Sequence, residues 1–210
     1  MTIETYLAYL ATVLIFFAHP PGPSQMLFVA GAMRHGLRRA TPILAGDLSA
    51  NGLQIIAAGF GLAGLIAASA TAFAAIKWAG IAYLLWVGLR IILDARRGSA
   101  TREAPNRGQL FRRGFLTSAA NPYAVVFFAA LFPQFLDPAL PLIPQIAILG
   151  ITYIVIDGAI LLLMGGAAER ISRALGGAFE RWLGYASGAG LIAAAAALAL
   201  RGLPEPERSP

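Results

Sequence analysis

The sequence predicts an all-α integral membrane protein. Six transmembrane helices are laid out as two inverted three-helix repeats, and the first and fourth helices are broken at proline. Three observations predict this. Only 12% of the 210 residues are charged, against about a quarter in a soluble domain. The apolar residues gather into six stretches, each long enough to approach the roughly 20 residues that span a bilayer. Two of these stretches carry prolines near their middles, at matching places in the two halves of the chain. In lipid only helices and closed barrels satisfy their own backbone. Barrel strands alternate polar and apolar residues, and these stretches do not.

The first segment runs from about Thr5 to Met33 and is interrupted by the prolines of His19–Pro23. Proline removes a backbone donor and clashes with the preceding turn. The helix should end there and restart near Pro23, where a first-turn proline does no harm. The second segment covers about Ala40 to Ala67 and the third about Thr71 to Leu93. They are split near Ala68–Thr71, where small and hydroxylated residues gather. The long polar stretch Asp94–Arg113, with Arg96, Arg97, Arg102, Arg107, Arg112 and Arg113 among glycine and proline, reads as a flexible basic loop. The fourth segment, Gly114 to Leu136, is interrupted at Asn121–Pro122. The fifth spans Leu142–Ala167 and the sixth about Arg181–Leu200. The division is therefore 1–93 for the first repeat, 94–113 for the loop, 114–201 for the second repeat and 202–210 for a disordered tail.

Basic residues set the orientation. Arg34, Arg38 and Arg39 follow the first segment, the arginines of 94–113 follow the third, and Arg170, Arg173 and Arg181 follow the fifth. The alternate loops are nearly bare. Positive loops stay cytoplasmic, so both termini are expected on the outer side, with 94–113 inside. The N-terminal run lacks a basic leader and a small-residue cleavage site, so it does not read as a signal peptide.

The third and sixth segments begin alike, with KWAGIAYLL at Lys77 and RWLGYASGA at Arg181. Lys77 and Arg181 are expected to snorkel to opposite interfaces. Three segments per half is an odd number, so the halves must enter the membrane from opposite sides, the plan of many secondary transporters. Paired interruptions in the two halves point to a binding site at the midplane. Pro21, Gly22, Pro23 and Ser24 at the first break, and Asn121 and Pro122 at the second, would present two helix N-termini. Each such end carries roughly half a positive charge, which suits a carboxylate. The bland alternative is a pair of proline kinks that only shape packing.

Asp47 and Asp157 lie inside the second and fifth segments, the middle helix of each repeat. A charge at the bilayer centre costs about 2.5–3.5 kcal/mol and usually marks an ion or substrate path. Both are proton-coupling candidates. The alternatives are a capping or interfacial role for Asp47 and a structural partner for an Arg or a backbone donor for Asp157. Asp47, Asn51 and Gln54 follow at spacings of four and three, so they share one helix face, and Asn51 joins the substrate-binding set. His19 is either a proton carrier or a cap for carbonyls freed by the break.

Cysteine is absent, which excludes thiol chemistry and disulfides. Two histidines alone, His19 and His35, do not make a typical zinc site, and nothing asks for a cofactor. The net charge of +6 sits at segment ends and reads as membrane orientation rather than nucleic-acid binding. A membrane-embedded enzyme built on Ser24 and His19 lacks a third partner. An uncoupled channel would be open to both sides at once, whereas the repeat predicts alternating access.

PPGP at Pro20–Pro23, GAMRHGLRRA at Gly31–Ala40 with AGD at Ala45–Asp47, and KWAGIAYL at Lys77–Leu84 form a specific combination with FRRGF and NP at Phe111–Pro122 and FPQF at Phe132–Phe135. In that order, over essentially the whole chain, they resemble the LysE/RhtB family of bacterial amino-acid exporters. The resemblance implies a six-helix inner-membrane protein that exports a small amino acid or a derivative in exchange for protons. Its partners would be that solute, protons and membrane lipid, and the family plan together with small-residue faces allows a homodimer. The matching positions are Pro21, Gly22, Pro23, Gly46, Asp47, Asn121 and Pro122. Many members carry Lys after the NP pair; this chain has Tyr123.

Overall fold

The computed structural model describes residues 1–17, 22–61, 70–97, 105–137 and 139–200. Every element among them is helical: α1 (Ile3–Phe17), α2 (Pro23–His35), α3 (Leu37–Gly59), α4 (Ala70–Arg97), α5 (Arg107–Ala119), α6 (Pro122–Leu131), a 3-10 turn (Phe132–Phe135), α7 (Leu142–Leu175) and α8 (Gly177–Leu200). His19, Pro20 and Pro21 lie outside the described residues, as do 62–69, 98–104 and the tail from 201. The same holds for the side chains of Lys77, Pro122 and Tyr123.

Local chemistry explains the ends. Pro23 opens α2 behind Gly22, whose N–H donates to Gln25 Oε1 at 2.9 Å. At α5, Asn106 Oδ1 accepts the Gln109 N–H at 2.9 Å and Gln109 Oε1 accepts the Asn106 N–H at 3.2 Å, a reciprocal cap. Gly36 (φ 83°) separates α2 from α3, and Gly176 (φ 75°) separates α7 from α8. Residues with a Cβ avoid these values. Pro42 lies inside α3 and cannot donate to the Arg38 carbonyl. The Thr41 hydroxyl donates to that carbonyl instead, at 2.9 Å.

The polar stretch 94–113 is less of a loop than its composition suggests, because α4 continues to Arg97 and α5 already starts at Arg107. Arginine is a good helix former, and Asn106 supplies the cap. Likewise α7 runs to Leu175 rather than ending near Ala167, and Glu169 and Arg173 pair one turn apart on its extension. Among the described residues α7 is the one helix long and apolar enough to cross a membrane by itself. The fourth segment is in two pieces, α5 and α6, the described residues of the first form the short helices α1 and α2, and α3 is made less apolar by Arg38, Arg39, Asp47, Asn51 and Gln54.

Burial departs from that of a water-soluble protein in two ways. Asp47, Asn51, Gln145 and Asp157 are inside, while Ile143, Ile148, Ile151, Val155 and Leu163 of α7 are exposed. In water the exposed apolar groups are unfavourable, and against lipid tails they cost little; the buried acids are costly in either solvent. Helix α3 lies along α5, α4 along α8, and α2 against α3 and α7. A Cβ on Gly46 would collide with the backbone of Phe111 and Phe115, and one on Gly114 with the Ile43 carbonyl. So α3 and α5 meet backbone to backbone, as small residues allow in membranes. Gly88 and Gly188 do the same for α4 and α8: a Cβ on either would lie 2.8 Å from the other's carbonyl oxygen.

Candidate functional site: a polar layer between two apolar clusters

Two apolar clusters fill the interior. One contains Leu27, Phe28, Ile43, Leu84, Leu161 and Leu191. The other contains Tyr9, Val13, Ile55, Phe128, Phe132 and Tyr153. Along α3 the order is Ile43, Asp47, Asn51, Ile55; along α7 it is Tyr153, Asp157, Leu161. Each step is four residues, about one turn or ~6 Å. The acids therefore sit in a thin layer, with apolar packing about one turn away on either side.

Within the layer the polar atoms form a chain. Asn51 Nδ2 donates to Asp157 Oδ2 at 2.9 Å, and the Ser118 hydroxyl donates to Asn51 Oδ1 at 2.8 Å. Gln54 Nε2 donates to the Ser118 carbonyl at 3.2 Å. That carbonyl is available because its usual partner, four residues on, is Pro122, which has no N–H. The N–H of Asn121 reaches it as well, at 3.0 Å. The break between α5 and α6 thus frees an acceptor, and α3 supplies a donor to it.

Asp47 is 1% exposed and Asp157 2%. The two carboxyls are close enough to interact. The side chains of Ser24, in the first turn of α2, and Ser118, in the last turn of α5, lie within reach of Asp47. Yet among the described residues neither Asp47 Oδ1 nor Gln54 Oε1, both buried, has a hydrogen-bond partner. A buried polar atom left unmatched costs about 1–3 kcal/mol, and such exceptions are rare enough to need an explanation. Tyr153 closes the layer on one side, its ring packed edge-on against Phe128 at 4.9 Å and tilted against Phe17 at 5.4 Å.

The structure thus brings together Asp47, Asn51, Asp157 and Ser24. Gly22 and Pro23 stand at the start of α2, and Asn121, half-buried, at the second break. Among the described residues the partner of Asp157 is the Asn51 amide rather than an arginine or a backbone donor. Sequence reasoning left out Ser118, Gln25 and Tyr153, and kept Gln54 only as a face-mate of Asp47. A signal for Ser118 was present: it lies four residues before Pro122, where proline leaves a carbonyl without its donor.

The profile of the LysE type translocators matches residues 15–202. The chain belongs to the LysE family. Among relatives of this LysE-family protein is the homoserine/homoserine lactone efflux protein of Salmonella typhimurium, 36% identical over 177 residues, 82% of this chain and 84% of that one. An uncharacterized membrane protein of Vibrio cholerae is 34% identical over 175 residues, 82% of this chain and 85% of that one. The leucine efflux protein of Klebsiella pneumoniae is 29% identical over 138 residues, 64% and 65% of the two chains. No solved structure matches. The chain is accordingly a membrane protein of a translocator family whose relatives include amino-acid efflux proteins.

Proposed function

We propose that this LysE-family protein is a secondary transporter, not an enzyme, that exports a small amino acid or amino-acid derivative from the cytoplasm in exchange for protons. One observation carries the reading: Asp47 and Asp157 are enclosed in a polar layer with Asp47 Oδ1 unmatched, and apolar packing flanks the layer in both directions along α3 and α7. A channel needs a path open to both sides at once; a carrier needs a central site that can be opened from one side at a time. The layer suits the carrier. Its members also come from both halves of the chain, α2 and α3 on one side and α5 and α7 on the other, as two inverted repeats around a midplane site would require.

In this mechanism the solute ammonium and the proton compete for Asp47 and Asp157. The solute carboxylate, or the ester carbonyl of a lactone, is held at the helix starts near Pro23 and Pro122, with Gly22, Ser24, Asn51 and Asn121 as hydrogen-bonding groups. Pro21 and His19 belong to the same break, His19 as the proton carrier nearest the prolines. The protein sits in a bacterial inner membrane with both termini outside, and the arginine-rich ends of α2, α3, α4, α5 and α7 face the cytoplasm. The names of the relatives make homoserine, homoserine lactone and leucine the first solutes to try.

The test is efflux from proteoliposomes loaded with each solute in turn, with and without a pH gradient. The expected result is gradient-stimulated release that Asp47→Asn and Asp157→Asn each abolish while the purified variants stay folded. Normal release by both variants would end the mechanism.

A further inference from the structure

A second feature lies apart from the polar layer. A cavity of about 790 Å³ is lined by His35 at the end of α2, by Arg38, Arg39 and Thr41 in the first turns of α3, and by Asn106 and Arg107 at the start of α5. None of the described residues that line it is acidic. Its two arginine-bearing walls belong to the helices that cross backbone to backbone at Gly46 and Gly114. The fold, not a loop, therefore gathers these charges.

Gathering like charges is unfavourable by itself. Burial holds the His35 imidazole below its ordinary pKa, and Arg34, Arg113 and Arg39 add repulsion in the same direction. Among the described residues the carboxylate beside this corner is Glu169 of α7, next to Gly36, and it is paired with Arg173. An anion in the hollow would relieve the repulsion. Guanidinium forks match phosphate oxygens. Asn106 spends its Oδ1 on its own helix, which leaves its amide N–H groups to donate.

Depth narrows the source. Arg39 precedes Asp47 by eight residues, ~12 Å along α3, and half the hydrocarbon layer is ~15 Å. With Asp47 near the midplane, these arginines reach the headgroup region. We propose that this cavity is a phosphate-binding site at headgroup depth, able to take the phosphodiester of an anionic phospholipid or a free phosphate. The leaflet rests on the orientation proposed above and the depth on Asp47 lying near the midplane; the site does not depend on export.

The experiment uses the full chain in nanodiscs of phosphatidylcholine alone, phosphatidylcholine with phosphatidylglycerol, or phosphatidylcholine with inorganic phosphate in the buffer. Native mass spectrometry counts retained phosphatidylglycerol, and NMR follows the His35 titration, assigned with His35→Gln. An anion seated there moves the His35 titration upward. Arg38→Gln and Arg39→Gln should each weaken retention roughly fivefold, and Arg96→Gln, at the same end of the molecule but outside the cavity, should not. Phosphatidylglycerol retained in this arginine-dependent way identifies a lipid site. A His35 shift with inorganic phosphate alone identifies a soluble phosphate site. If neither anion moves His35, or if Arg96→Gln weakens retention as much as the cavity substitutions do, the proposal is overturned. Transport is not measured, so a failed efflux assay leaves this result intact.

Discussion

The polar layer and the basic cavity lie on the same helix, α3, only two or three turns apart, and they handle charge in opposite ways. Asp47 and Asp157 are buried, and side-chain hydrogen bonds link Ser118, Asn51 and Asp157 across three helices. Around Arg38, Arg39 and Arg107 the side chains are exposed and share a wide hollow. Charge interactions strengthen as the local dielectric falls, and exposed charges are screened within about 8–10 Å by salt. The first region should therefore respond sharply to single-atom changes and little to salt, the second gently to single changes and strongly to salt.

The largest expected break is steric. Gly114→Val puts a side chain into the Ile43 carbonyl and forces apart the helices that both regions depend on. A loss of about 3 kcal/mol should appear as a lower thermal midpoint in detergent, and both efflux and anion binding should fall together. Asn51→Leu is next and separates the two regions. It strips Asp157 and the Ser118 hydroxyl of their bonded partner, at about 1–3 kcal/mol. Efflux should be lost while phosphatidylglycerol retention stays unchanged; a loss of both would merge the regions into one.

Gly108→Ala probes the basic end with a change of the same kind as Gly114→Val. A Cβ there meets only Asn106 Oδ1, at 3.5 Å, so the helix preference for alanine should raise stability by up to ~1 kcal/mol. A measurable loss would show that the basic end is packed as tightly as the layer. The smallest effect is a pH slope. His35 is held below its ordinary value near 6.5 by burial and neighbouring arginines, so the folded protein binds fewer protons than the unfolded chain. Its neutral form stabilises the fold above about 6.5, and that contribution declines as the pH falls toward the lowered value. His35→Gln should flatten this part of the stability profile.

How much of this was legible in the sequence follows from the range of each interaction. Asp47, Asn51 and Gln54 were placed on one face by spacing alone, because helical periodicity is a local property. The helix ends at Ala119 and Pro122 were likewise dictated by proline. Ser118 and Gln25 were missed because their roles depend on a neighbour: an amide from α3 for the Ser118 carbonyl, and a glycine N–H for Gln25. The arginines of 94–113 misled by composition. Their charge suggested a loop, but their helix propensity and the Asn106 cap carry α4 and α5 well into it. The basic cavity could not be read at all, since Arg38 and Arg107 become neighbours only through the glycine crossing.

Gln25 is an internal competitor at the head of α2. Its amide oxygen already occupies the Gly22 N–H there, so an anion that takes that N–H must displace it. A net hydrogen bond is worth about 1 kcal/mol, roughly a fivefold handicap. Chloride, with a single point of attachment and a hydration shell to shed, gains little in exchange; a zwitterion that also engages an aspartate recovers the loss at its other end. A self-bonded glutamine would in this way guard against leak of small inorganic ions while leaving the head of α2 open to a two-handed solute.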